Sequence, residues 1–511
     1  MDSNSLPSVN IINLGTTDIF FSSQTLKFID VSKDNAALLL KEVGFNPTNT
    51  LLAALAIAFV LLMTPGLALF YGGLVRRKSI LTIINQCMIS LGVTTIIWVF
   101  GGFSLAFGPS VGRGIIGDVS SYFAFRNIIF DSEWKNIGMV FSTFTGGVPM
   151  LLFFGFQLSF AIITPPLMVG AFADRMKFKN YIVFLVLWQY LIYIPFCHWV
   201  WGQGFLNKFG VLDWAGGIVI HTTAGFGALA TSFVLGRRKI LRTEKNTPNN
   251  IPLVIVGATL LFFGWFGFNV GGASFIKHPS THQSIEHTLI ATTWINSVIA
   301  VAVGIIGWVI MESIFNKNHK PTGVGLVTGG IAGLATITPA AGYVPLWASV
   351  PIALAAVAVC FLFCKIMHHS KIDDSLEVFA VHGMGGVVGS LLVGAFAHVS
   401  VFPDLWVNAA GYQVDSVGHE QSVYGLLFSR QLSGVALAGA YSFVMTIIIA
   451  AITQPRLKAN EQLHHIDYIN HGEDAYNFNF VYARKDEINE AMKKQTTCWT
   501  TSFGGRNQVK N

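Results

Sequence analysis

Residues 321 to 364 contain no Asp, Glu, Lys or Arg, a run roughly twice the ~20 residues a helix needs to cross a hydrocarbon layer about 30 Å thick. Comparable blocks nearly free of charge recur at 51–75, 79–107, 137–172, 180–201, 214–235, 251–273, 288–311, 322–342, 346–364, 376–398 and 431–452. They predict an all-α polytopic membrane protein of eleven transmembrane helices. The Thr338-Pro339 to Pro345 stretch supplies the turn that divides the long run in two. The block 136–173 is read as one crossing, with Gly146-Gly147-Val148-Pro149 at its surface entrance. The expected organisation is an extracellular amino-terminal segment (1–50), a helical domain (51–452) and a cytoplasmic tail (453–511).

Composition agrees with this solvent assignment. Charged residues make up 11% of the chain and mean hydropathy is +0.57, whereas soluble domains carry about a quarter of their residues as charges. The net charge of +6 does not indicate nucleic acid, because the basic residues sit in short loops between apolar blocks instead of clustering on a hydrophilic face. Those loops report sidedness, since Lys and Arg concentrate in cytoplasmic connections. With the amino terminus outside, the inner loops hold 15 basic residues, among them Arg76, Arg175, Arg238 and Lys365, and the outer segments hold 9. The five cysteines form no C-x-x-C pair and imply neither a disulfide framework nor a zinc site. The start of the chain lacks the basic-then-apolar pattern of a cleavable signal peptide.

Two spans echo each other. Asp213-Trp214-Ala215-Gly216-Gly217-Ile218-Val219-Ile220-His221-Thr222-Thr223-Ala224-Gly225 opens the fifth, and Asp374-Ser375-Leu376-Glu377-Val378-Phe379-Ala380-Val381-His382-Gly383-Met384-Gly385-Gly386 opens the tenth. Each reads Asp, seven residues, His, two residues, a small residue, Gly. The fifth span enters from outside and the tenth from inside, so spans 1–5 and 6–10 are expected to be inverted repeats, with span eleven outside them. The plain reading of each aspartate is a helix cap, and of the small residues close helix packing. The imidazoles point further, because ionisable groups at membrane depth are costly and mark pathways or relays. His198 and His398, near span ends, read as interfacial or core residues.

These motifs resemble the ammonium transporter (Amt/Mep/Rh) family, specifically its Amt branch. The likeness rests on DWAGGIVIHTTAG at 213–225, GWFGFNVGG at 264–272, FQLSF at 156–160, TPAAGY at 338–343, DDSLEVFAVHGMGG at 373–386 and HGEDAYN at 471–477, and it covers about residues 50 to 480. It implies a homotrimer of eleven-helix bundles with one pore per subunit, multi-pass in the cell membrane (the plasma membrane in a eukaryote), carrying ammonium or methylammonium without a cofactor. By position, Phe160 and Phe268 match the stacked phenylalanines that close the pore from outside, and Trp201 matches the aromatic wall of the external ammonium site. His221 and His382 match the paired imidazoles of the conduit. Asp213 matches the buried acid that shapes the outer vestibule. Gly272 departs from the family pattern by standing where a serine hydroxyl is usual, so external affinity transfers least safely. HGEDAYN resembles the family's regulatory segment, which makes the tail a candidate target for a cytoplasmic regulator; hydroxyls also cluster at Thr496, Thr497, Thr500, Thr501 and Ser502.

Physical chemistry favours passage of the neutral species. Taking an intact cation into a dry apolar pore costs tens of kcal/mol by an idealised Born estimate, while leaving the proton outside costs about 1.4 kcal/mol per pH unit below the ion's pKa. A ring face attracts a cation by ~0.5–2 kcal/mol, enough to recruit it without a carboxylate that would also hold sodium. Two facing neutral imidazoles can share one hydrogen and present a donor and an acceptor to ammonia. No Glu or Cys stands at helical spacing beside either histidine to complete a metal site, and Glu377 reads as a group at the cytoplasmic end. The rival readings are an ammonium sensor (transceptor) with little flux, a Rhesus-type ammonia channel and a redox protein with both histidines on haem.

Overall fold

The computed structural model describes residues 26–29, 45–130, 139–142, 145–239, 247–276, 283–398, 401, 420–463 and 465–476. Among them ten helices have the length and apolarity to cross a membrane. In chain order the helices are α1 (Pro47–Leu74), α2 (Arg77–Phe107), α3 (Met150–Phe172), α4 (Phe178–Phe209), α5 (Gly217–Leu235), α6 (Ile251–Phe275), α7 (Gln283–Phe315), α8 (Gly323–Ile337), α9 (Leu346–His369), α10 (Phe379–Phe396) and α11 (Glu420–Thr453). α8 is a shorter apolar helix. The sequence starts several of them explicitly. Asn46 accepts a hydrogen bond from the Asn49 amide at 3.0 Å ahead of Pro47, and Asn250 accepts from Leu253 at 2.9 Å ahead of Pro252. These are side-chain caps with proline in the first turn, where its missing N–H is no loss. At α8, Thr322 caps Gly325, and buried Glu312 in turn accepts from the Thr322 amide at 2.7 Å.

The third block differs from its sequence reading. It contains one crossing, but the helix begins at Met150, and Met139–Ser142 is instead a strand, β4, antiparallel to β1 (Leu26–Ile29) with Leu26 opposite Ser142. Gly146 and Gly147 adopt φ of 58° and 84°, a left-handed path that breaks any helix there, and Pro149 then caps α3. A second two-stranded sheet pairs β2 (Ser110–Val111) with β3 (Ile116–Gly117). Among the described residues the long apolar segments are helical, and the short strands lie in the segments that precede or connect them. Most of the amino-terminal segment and everything after 476, including the hydroxyl cluster at 496–502, lie outside the described residues.

The tail gathers the basic loops onto one face of the bundle. Leu457 donates to the Arg175 carbonyl at 2.7 Å, Lys177 to the Pro455 carbonyl at 2.7 Å, and Arg76 Nη2 to the Gln462 carbonyl at 3.1 Å. A short helix, α12 (Ile466–His471), then lays the Asp467 carboxylate against the amides of Leu81 and Thr82, at 3.0 and 2.7 Å. Beneath it, Arg238 clamps Asp373 with its Nε at 2.9 Å and its Nη2 at 3.0 Å. The loops that charge bias assigns to the cytoplasm and the tail therefore share one end of the molecule.

Candidate functional site

The two echoing segments fold alike. The Asp213 carboxylate accepts from four successive amides, Gly216 and Gly217 on Oδ1 at 2.8 and 2.7 Å and Ile218 and Val219 on Oδ2 at 2.8 and 3.0 Å. Asp374 accepts from Val378 and Phe379 at 3.0 and 2.8 Å. Each aspartate is a helix cap, and what it opens is a wide π turn, over 217–222 and 379–383, that carries the histidine. The His221 amide reaches back five residues to the Gly216 carbonyl at 2.8 Å. Such π turns recur at functional sites because they re-aim one side chain out of the helical register.

The segments then pack on each other reciprocally. Gly225, twelve residues past its aspartate, lies so close to Gly383 that a Cβ would strike the Gly383 backbone. Gly386, twelve past the other aspartate, lies against Thr222, where a Cβ would fall 2.8 Å from the amide nitrogen. In both cases position twelve of one segment meets position nine of the other, the signature of a local two-fold relation, and here it relates two stretches of one chain.

Near that axis the histidines meet. Their Nδ1 atoms are 3.3 Å apart, the rings lie 16° from parallel with centroids at 5.2 Å, and both residues are buried. Continuing outward, Phe268 lies 6.1 Å from His221, Phe160 lies 4.4 Å from Phe268 and Trp201 lies 6.0 Å from Phe160, centroid to centroid. The Phe160 and Phe268 rings meet edge to face at 76°, which corrects the stacked pair implied by the resemblance; a perpendicular pair satisfies the ring quadrupoles better than a face-to-face sandwich. Trp201 is half-buried, and its Nε1 donates to the Asp213 carbonyl at 2.8 Å, which leaves the ring face free for other contacts. The cavity beside the histidines is walled by Leu67, Ile163, Leu261 and Ile331.

Trp265 is one residue that sequence reading missed. Its ring lies 25° from parallel to His221 and 10° from parallel to His382, with centroids at 5.4 and 6.4 Å. Its Nε1 donates to Thr338 Oγ1 at 2.9 Å, and Asn269 holds Thr338 through its Oδ1 at 3.2 Å. The available signal was that GWFGFN and TPAAGY, motifs from different spans, each carry half of one hydrogen bond. Trp214, which alone reads as an interfacial anchor, donates to the Asn269 carbonyl at 2.7 Å and is buried. His198 is a core residue, placed between the Ala106 carbonyl and Ser110 Oγ, both at 2.9 Å. Glu377 pairs with His368 at 2.7 Å.

A bundle of membrane-length apolar helices that encloses a row of rings, from a half-buried tryptophan down to a buried imidazole pair, defines a polytopic membrane transport protein. The particular kind follows from comparison with known proteins. A family model described as the Ammonium Transporter Family matches residues 51–476, and the chain belongs to that family. An ammonium transporter of Bacillus subtilis (strain 168) is 37% identical over 82% of this chain and 95% of its own. Ammonium transporter 1 of Dictyostelium discoideum is 37% identical over 89% and 91%. The crystal structure of Saccharomyces cerevisiae Mep2 superposes with a TM-score of 0.69 at 32% identity, covering 84% of this chain and 91% of that one.

Proposed function

We propose that this protein carries ammonium nitrogen across a membrane by recruiting the cation at the Trp201 face, releasing its proton near the Phe160–Phe268 pair and conducting neutral ammonia past His221 and His382. Family membership supports ammonium as the substrate and a multi-pass membrane location. The observation that carries the finer reading is the histidine pair: 3.3 Å between the two Nδ1 atoms leaves room for one shared hydrogen. Two neutral rings joined in this way expose one N–H and one bare nitrogen at their Nε2 positions, and the two roles swap when the shared hydrogen crosses to the other ring while that ring gives up its Nε2 proton and the first ring gains one. His221 Nε2 is buried and has no protein partner among the described residues, so a polar solute is the natural partner for an atom whose isolation otherwise costs about 1–3 kcal/mol.

The rings above supply what precedes this step. Trp201 and Phe160 offer faces to a cation at ~0.5–2 kcal/mol, weak enough for release, while the Phe160–Phe268 contact closes the path to hydrated ions. Trp265 keeps the imidazoles in plane, and its apolar face excludes water from them. Asp213 acts through the backbone, holding the turn on which His221 hangs. We place the chain in a homotrimer, each subunit with its own pore, with the docked tail as the element a cytoplasmic regulator would grip. The test is uptake into proteoliposomes: His221→Ala and His382→Ala should assemble like the parent but change the rate of ammonium uptake or its discrimination over methylammonium. Parent-like rate and discrimination in both variants would remove the histidines from the mechanism.

A further inference from the structure

One polar side chain of α11, the helix outside the two repeats, joins both halves of the pore. Gln431 is fully buried. Its Oε1 accepts from the Leu212 amide at 2.8 Å, and its Nε2 donates to the Leu212 carbonyl at 2.8 Å and to the Ser390 carbonyl at 3.0 Å. Leu212 lies in the non-helical connection that precedes Asp213, so its peptide groups have no helical partners and the amide supplies both. Ser390 lies on α10, eight residues past His382. Close by, Gly434 brings α11 so near that a Cβ would fall 3.0 Å from Val211. Three turns further along α11, Ser442 Oγ donates to the Thr223 carbonyl at 2.6 Å, two residues past His221.

We propose that Gln431 is a positioning residue for the pore, fixing the Leu212–Asp213 peptide relative to α10 and thereby setting the separation of His221 and His382. The Asp213 carboxylate carries the turn that bears His221, and the Asp213 carbonyl receives the Trp201 indole. A shift of the peptide at 212–213 therefore moves the recruitment ring and one histidine together, while the link to Ser390 ties both to the helix of the other histidine. Apolar packing alone would seat α11. A buried amide in a membrane helix is costly unless every bond is made, and here every bond goes to backbone beside the pore. This inference rests on the transport reading above.

The experiment compares the full-length parent with Gln431→Glu, which keeps the acceptor for the Leu212 amide and at most one of the two donors, and Gln431→Met, which keeps the length and loses all three bonds. Each is reconstituted at equal amounts of folded protein, and the ratio of methylammonium to ammonium uptake is measured with the half-saturating concentrations. That ratio is independent of how much protein folds. Because misplacement by ~1 Å can cost up to about 100-fold in a positioned site, we expect the ratio to move by at least about threefold in both variants. An unchanged ratio with flux scaling only with folded protein would overturn the inference, as would failure of both variants to fold, since the amide would then serve folding alone. A parent that takes up no ammonium would overturn the transport reading itself and this inference with it.

Discussion

Replacing Asp213 provides a quantitative test of how the histidine turn is held. Its carboxylate accepts four backbone hydrogen bonds between 2.7 and 3.0 Å from the consecutive buried residues 216–219. Asp213→Ala removes every acceptor and leaves four N–H groups facing a small apolar side chain. Each buried orphan costs about 1–3 kcal/mol, so even with relaxation the loss should reach roughly 4 kcal/mol. Asp213→Asn keeps one carbonyl oxygen, able to accept two of the four, and should lose about half as much. Thermal unfolding of detergent-purified protein should rank the parent above Asn and Asn above Ala, and ammonium uptake by proteoliposomes should fall in the same order because His221 lies two residues past the last capped amide. If Ala and the parent share one melting temperature, the cap is not what holds the turn.

Three further predictions follow from neighbouring geometry. Gly272→Ser adds a Cβ whose nearest neighbours are Trp214 atoms at 3.7 Å; it should fold normally, and a restored hydrogen bond of ~1 kcal/mol should lower the half-saturating ammonium concentration by about fivefold, read by uptake at graded concentrations. Gly225→Val drives a side chain into the Gly383 backbone, where no rotamer can yield; overpacking of this kind costs about 1–3 kcal/mol or more, and purified protein should show lost yield or reduced thermal stability. At the tail end, burial pushes the Asp373 carboxyl up, but Arg175 and Arg238 outweigh it and hold it below the usual carboxylate range. A depressed folded-state value means that stability is present above the ordinary carboxylate pKa of about 3.9 and is lost as pH falls through the folded value. Parent protein should thus keep its stability from pH 7 to pH 5, whereas Arg238→Ala, which leaves Asp373 with Arg175 alone at 3.8 Å, should already be less stable at pH 7 in a melting assay, by less than the roughly 3–5 kcal/mol of a fully uncompensated buried charge.

Much of this architecture was legible in the sequence because hydropathy reports the solvent a segment faces, and each crossing leaves a block free of charge. The echo from Asp213 to Gly225 and from Asp374 to Gly386 revealed two related segments, since cap, imidazole and packing glycine recur at fixed offsets. Local geometry was less visible. Residues 139–142 are as apolar as a span, yet their strand pairing depends on residues 26–29, more than a hundred positions away. The π turns leave no mark in the spacing, so the depth of each histidine was legible but not its aim. Trp265 and Gln431 escaped notice because their roles lie in partners from other spans, Thr338 for one and Leu212 with Ser390 for the other.

The central claim is that the solute passes the histidines without its charge, and a cation of ammonium's size that has no proton to give tests it most directly. Rubidium can meet the same Trp201 and Phe160 faces but cannot become neutral. Proteoliposomes containing the parent protein should therefore accumulate ammonium well above protein-free vesicles and take up tracer rubidium no faster than those vesicles do. Rubidium uptake comparable to that of ammonium, abolished together with it by His221→Ala, would contradict the account.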